Sequence, residues 1–205
     1  MRRNYLLAAI LGTFLLLGLV FVARTQSGGR AEQLVKTMSR SFSTMGGYEA
    51  TYMIEVDGQR MLGAFAVEGD KYRIEMADME VYGDGAVRYE VDGRRREITL
   101  TTTEAESANI LSNPANAFDL LTSLYVPTLL KEESGEALVS LRTERDPASS
   151  IRLRLDLKRN LPTEITYYTD ELAVVVKILS IKSLDAPLPQ FDRAAYTDYE
   201  IIDFR

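Results

Sequence analysis

The 205-residue chain contains no cysteine, no histidine and no tryptophan. The first two absences exclude a great deal. Without them there is no thiol nucleophile, no imidazole general base, no thiolate or imidazole zinc site, no disulfide, no c-type haem and no lipid-modified cysteine. Positive charge is also scarce where it would matter. The chain holds 24 Lys and Arg against 30 Asp and Glu, for a net charge of −6. Four of the basic residues (Arg2, Arg3, Arg24 and Arg30) lie in the first thirty positions, where there is no acid. The remainder therefore carries 20 basic against 30 acidic residues, and that field has the wrong sign for phosphate backbones. Nucleic acid is excluded as a natural partner. What is present is ordinary for a folded body: 46% hydrophobic and 26% charged residues, with no long linker and no fixed-period repeat.

The N-terminus is an address. Arg2-Arg3 precede an uncharged run from Asn4 to Ala23, rich in Leu, Ala, Val and Phe. That is the layout of a secretory signal, although the run is also long enough to cross a bilayer. Cleavage after Ala23 or Ala31 and retention as an anchor both remain open, and both export the rest of the chain. Residues 1–30 are read as this segment plus a short spacer, and residues 31–205 as one folded domain.

Hydrophobic periodicity then divides the body. Leu34, Met38 and Phe42 recur at i, i+4 and i+8, which predicts a helix over Ala31–Phe42. From Tyr48 onward the period changes to two: Tyr48, Ala50, Tyr52, Ile54 and Val56 alternate with polar residues, and Asp57-Gly58 marks a hairpin. Further strands with Met61, Phe65 and Val67, with Tyr72, Ile74 and Met76, and with Val87, Tyr89 and Val91 follow at short spacing. Asn113-Pro114 predicts a helix start, Phe118 and Leu121 lie on its apolar stripe, and Pro127 stops it. After a Glu132–Glu136 loop, strands resume over Leu138–Thr143, Ser150–Leu157, Thr163–Thr169 and Leu172–Leu184, with a slip of apolar parity between Val176 and Ile181 that predicts a bulge. Tyr199–Phe204 is a last short strand. The fold class is α+β: one strongly curved, unclosed antiparallel sheet of about ten or eleven strands, since a sheet that long must curl, with two helices over its concave apolar face.

Catalytic motifs are lacking. Glu104/Glu106, Glu132/Glu133 and Asp170/Glu171 are carboxylate pairs at turns or element edges, where acids are simply solvated. Asp57, Asp84 and Asp92 precede or begin glycine turns and are explained by turn chemistry. Arg94-Arg95-Arg96 is a basic run at a hairpin tip, a solvated turn with docking to an acidic or lipid surface as the lesser reading. No cofactor or metal is expected. The informative excess is apolar. Tyr48, Tyr52, Phe65, Val67, Tyr72, Ile74, Tyr89, Phe118, Leu121, Leu153 and Tyr167 are assigned to inward faces, where they form either a plain core or a ligand cavity.

Several segments, in order, carry a resemblance: Leu34 and Phe42 on the first helix, then Gly63-Ala64-Phe65-Ala66-Val67, then Gly69-Asp70-Lys71-Tyr72-Arg73-Ile74-Glu75, then Tyr82-Gly83-Asp84-Gly85-Ala86-Val87-Arg88-Tyr89, then Asn113-Pro114 with Phe118-Asp119-Leu120-Leu121, and the ending Glu200–Arg205. Over residues 31–205 the chain resembles the periplasmic outer-membrane lipoprotein carriers, the LolA-like family. Tyr89 stands where that family has a tryptophan. Gly69-Asp70 stands where many members have Arg-Pro, an arginine associated with holding a helical lid closed. The resemblance implies a non-enzymatic periplasmic carrier, monomeric, that shields acyl chains of lipoproteins or other lipids. It implies an inner-membrane releasing complex and an outer-membrane acceptor as partners. Three rivals stand beside it: an envelope lipid- or stress-sensing regulator anchored by residues 4–23; the outer-membrane receptor that accepts cargo, which is lipid-anchored through cysteine and so is opposed by the absence of cysteine; and a hydrolase working through carboxylates alone.

Overall fold

A computed structural model describes residues 29–103, 108–169 and 172–205. Residues 1–28, most of the segment read from sequence as an export signal or anchor with its spacer, and the pairs Glu104/Glu106 and Asp170/Glu171 lie outside the described residues. Helix α1 covers residues 29–43, so Gly29 and Arg30, read from sequence as spacer, already belong to it. Twelve strands follow: β1 (Gly47–Val56), β2 (Gln59–Glu68), β3 (Lys71–Met76), β4 (Met79–Gly83), β5 (Val87–Asp92), β6 (Glu97–Thr102), β7 (Val126–Glu133), β8 (Glu136–Arg142), β9 (Ser150–Asp156), β10 (Leu161–Tyr168), β11 (Ala173–Ser183) and β12 (Glu200–Asp203). Helix α2 (Pro114–Ser123) sits between β6 and β7.

The strands form one sheet in the order β12-β6-β5-β4-β3-β2-β1-β11-β10-β9-β8-β7. The chain thus starts at the centre and walks outward to β6. It then crosses with α2 to the far edge and walks back from β7 to β11, which pairs with β1. The two edges never meet, so the half-barrel is unclosed, as the periodicity predicts. Turn chemistry fixes the register locally. Asp57 and Gly58 both take positive φ, the two-residue turn that matches strand twist. Asp84 accepts hydrogen bonds from the amides of Ala86 and Val87 at 2.9 and 2.8 Å, and Asp92 does the same for Arg94 and Arg95.

Three features differ from the sequence reading. Residues 126–133 form a strand that the sequence reading did not assign, and it takes in Glu132 and Glu133 of the expected Glu132–Glu136 loop; Ser134 and Gly135, both at positive φ, close the hairpin alone. Pro127 ends the helix but is tolerated in β7 because β7 is an edge strand, with no ladder bond required of its missing N–H. The described residues therefore hold twelve strands. Finally, β12 pairs with β6 in parallel, because the chain crosses the sheet between β11 and β12 before joining the edge. The bulge predicted between Val176 and Ile181 is present: Thr51 pairs with Ser180 and Tyr52 with Ile178, leaving Leu179 unpaired.

Two apolar clusters hold the body together. The large one lies on the concave face and joins β1–β4 and β8–β11 to Leu34, Val35, Met38 and Phe42 of α1 and to Ala117, Phe118 and Leu121 of α2. The second comprises Tyr82, Val91, Ile98 and Leu100, packed with Phe191, Tyr196 and Tyr199 of the C-terminal segment. Register places this second cluster on the opposite face. Tyr72 is in the concave core and pairs with Gly83, which pairs with Arg88; Tyr82 and Tyr89, one residue out of step, therefore point outward.

Candidate functional site

The concave face is the candidate site, and its floor comes from alternate residues of the central strands. Tyr48 and Tyr52 from β1, Phe65 and Val67 from β2, Tyr72 and Ile74 from β3 and Leu153 from β9 are all buried there, as are Phe118 and Leu121 from α2. Tyr167 packs against the same cluster while only partly buried. Ten of the eleven residues assigned inward thus converge. Tyr89 does not: its ring stacks on Phe191 at 4.3 Å between centroids, on the convex side. The reason is physical. Alternation reveals which face of a strand is buried but not which side of the sheet that face is on. In β5 and β6 the buried face is covered by the C-terminal segment.

Two strand glycines let aromatic rings lie flat on this floor. A β-carbon on Gly63 would stand 2.6 Å from the Tyr52 ring, and one on Gly83 would stand 2.2 Å from the Tyr72 ring. Such close approach is why a strand interior accepts glycine despite its entropic cost. Above the floor, the rings of Phe42 and Phe118 stack at 3.9 Å, joining α1 to α2, and Phe42 leans on Tyr48 at 4.8 Å. The space between helices and sheet is thus filled by side chains rather than held open. Hollows of about 180 and 250 Å³ remain at the helix margins, one beside Phe42 and Phe118 and the other beside Val35, Leu121 and Tyr125.

The polar groups on this face hold the helices down. The Tyr167 hydroxyl accepts from the Ile110 amide at 3.1 Å, and the Tyr48 hydroxyl donates to the Pro114 carbonyl at 3.3 Å. Arg88 of β5 donates to the Ser112 carbonyl at 2.5 Å while also bonding Glu90 at 2.7 Å. Three strands therefore each make one hydrogen bond to residues 110–114, the entry to α2. Asn113 stands at the cap position with Pro114 after it, yet its side chain makes no capping bond. The helices are tied to one another by Ser39, which donates to Asp119 at 2.5 Å, and α1 is tied to β7 by Arg30 and Glu132 at 2.6 Å. Burial pushes the Tyr48 and Tyr167 phenols up, so both remain neutral partners.

Arg88 is the residue that pattern reading misses. It sits on the polar face of β5, and its inward direction follows only from the register across β3, β4 and β5. It is 13% exposed, and it contacts the entry to α2 through the Ser112 carbonyl. The Arg94-Arg95-Arg96 run is engaged by acids: Arg94 by Asp78, Arg95 by Asp92 and Glu97, and Arg96 by Asp198. All three side chains stay exposed beside their acidic partners. Glu132 likewise serves the ion pair with Arg30.

Among known proteins, no family model and no curated protein matches the chain by sequence. Solved structures do. An uncharacterized conserved protein from Thermus thermophilus is 8% identical with a TM-score of 0.55, covering 85% of this chain and 99% of that one. A DUF1329 family protein from Desulfovibrio piger is 12% identical with a TM-score of 0.51, covering 83% and 99%. A LolA superfamily protein from Nitrosomonas europaea is 10% identical with a TM-score of 0.44, covering 77% and 94%. The first two share this chain's fold over nearly their whole lengths. What these two matches share with the chain is the fold: an unclosed α+β half-barrel with two helices over its concave face.

Proposed function

We propose that this protein is a periplasmic carrier that takes the acyl chains of lipoproteins or other lipids between its concave face and helices α1 and α2. One observation carries the reading: among the described residues the apolar floor of the half-barrel is covered by two helices, and the entry to α2 is held by single hydrogen bonds from three separate strands. An acyl chain gains about 0.8 kcal/mol per methylene buried. Helices that swing away surrender comparable contacts with the same floor. The exchange is therefore close to balanced, which suits a protein that must release what it collects. The reading is non-enzymatic: Tyr48, Arg88 and Tyr167, polar groups on this face, are each engaged in holding the entry to α2. Hand-over from an inner-membrane complex to an outer-membrane acceptor is the direction of traffic implied by the resemblance.

The test is native mass spectrometry of protein recovered from the periplasm, with a reporter fused after Arg205 to establish export. Mass increments matching acylated cargo are expected. Cytoplasmic reporter activity would refute the location. A cargo-free protein with no saturable binding of a fluorescent acyl probe would refute the carrier.

A further inference from the structure

One carboxylate at the margin of the concave face lacks a counter-charge. Asp119 stands past the first turn of α2, where the helix N-terminus no longer favours an acid. The Ser39 hydroxyl donates to one of its oxygens at 2.5 Å, and no Lys or Arg among the described residues forms an ion pair with it. An asparagine would serve Ser39 equally as an acceptor, without a charge. Asp119 lies in the wall of the hollow of about 180 Å³ between the end of α1 and the start of α2, and among the described residues it is the one charged side chain there. Three aromatic rings, Phe42, Tyr48 and Phe118, share that wall, and all three belong to the concave core. Gly46 and Gly69, both at positive φ, border it on the outside; a β-carbon on either would meet nothing within 4 Å, so the mouth is open. The hollow at the other helix margin differs, because its acid, Glu32, is neutralised by Lys36 at 2.5 Å.

We infer that the hollow beside Asp119 seats a cationic nitrogen, so that the ligand is an amphiphile with an ammonium head there and its acyl chain on the concave floor. This rests on the carrier reading and specifies the head group of its ligand. Two attractions act on the same charge. The carboxylate is one; the faces of aromatic rings are the other, and they hold organic cations while remaining apolar enough to meet the first carbons of a chain. Asp119 is itself exposed, so its own pull is modest and salt weakens it. A sulfate or carboxylate head would meet Asp119 with like charge and be repelled.

The experiment is calorimetric titration of the full chain with decyl amphiphiles that differ only in the head, each below its micelle concentration: decyltrimethylammonium, decylammonium, the neutral and nearly isosteric decyldimethylphosphine oxide, and decyl sulfate. The better cation binds about 3- to 30-fold more tightly than the phosphine oxide, the span of an exposed ion pair plus a cation on an aromatic face. The sulfate binds more weakly than the phosphine oxide. Whichever cation binds more tightly identifies the nitrogen, primary or quaternary. In Asp119→Asn, which keeps an acceptor for Ser39, the cation's advantage shrinks by about 2- to 5-fold while the phosphine oxide binds as before. In the parent, about 0.5 M sodium chloride shrinks the same advantage by screening. No advantage of either cation in the parent, an advantage that survives Asp119→Asn or added salt, or sulfate bound as tightly as the cations overturns the inference. So does tetramethylammonium bound as tightly as decyltrimethylammonium, which would make the hollow a site for a free cation rather than for a head group. Binding of all the amphiphiles alike leaves the carrier reading intact and removes this one, whereas binding of none of them removes both.

Discussion

Replacing Phe65 by alanine asks whether the concave face is filled or open. Phe65 is 2% exposed at the centre of β2, between Ala50 and Ile74 on its neighbours. Its ring meets Tyr48 edge-on at 6.1 Å and Tyr52 at 5.8 Å. Truncating a ring enclosed in this way loses its transfer free energy and leaves a void, together about 3–5 kcal/mol, with the aromatic contacts included in that figure. Against a typical domain stability of about 5–15 kcal/mol this is a large fraction. At about 2–4 °C per kcal/mol for a body of this size, the melting temperature falls by about 6–20 °C. Urea unfolding followed by far-ultraviolet circular dichroism measures the loss directly. A saturating acyl ligand should raise the stability of both proteins, because binding only the folded state adds RT ln(1 + [L]/Kd), about 2.7 kcal/mol at a hundredfold excess over Kd. A loss below about 1.5 kcal/mol without ligand, well short of the core range, would refute the reasoning. It would show that the helices do not close down on Phe65 and that the half-barrel stands open.

Two further predictions address the helices and the convex side. Arg88→Met removes the donor to Ser112 and leaves Glu90 without its cation; stability should fall by about 1.5–3 kcal/mol, the worth of charge-assisted hydrogen bonds. Amide exchange over residues 108–123 should quicken while β8 and β9 stay protected, and unchanged protection at residues 110–114 would deny that Arg88 restrains them. On the convex side, Glu80 accepts from Arg73 and Tyr82 at 2.7 Å each and from Tyr196 at 3.4 Å. Burial pushes its carboxyl up, but these donors outweigh burial and hold it below the ordinary range. Its contribution to stability is thus complete above the unfolded value of about 4.3 and is lost as pH falls through the lower folded value. Glu80→Gln should flatten the decline in stability between about pH 5 and pH 3, and an undiminished slope would exclude Glu80 as the linked group.

Much of this architecture can be read from local pattern, because the pattern has a local cause. The period-two runs from Tyr48 to Leu100 make strands, since alternate side chains share a face, and Asp57-Gly58 makes a hairpin because both residues reach positive φ. The slip near Leu179 announces a bulge for the same reason, and Asn113-Pro114 opens α2 although the asparagine side chain makes no cap. These effects span a few residues, and sequence records them. Side of sheet, pairing partner and filling are different in kind. Tyr89 faces away from the concave floor and Arg88 faces towards it because of segments distant in sequence: Phe191 covers Tyr89 and Ser112 meets Arg88. Whether ten inward side chains make a cavity or a core is decided later still, by how far α1 and α2 settle onto the sheet. That depends on contacts such as Phe42 on Phe118 and Ser39 on Asp119, whose partners lie about eighty residues apart. Periodicity has no reach over such separations; only the folded chain brings those surfaces together.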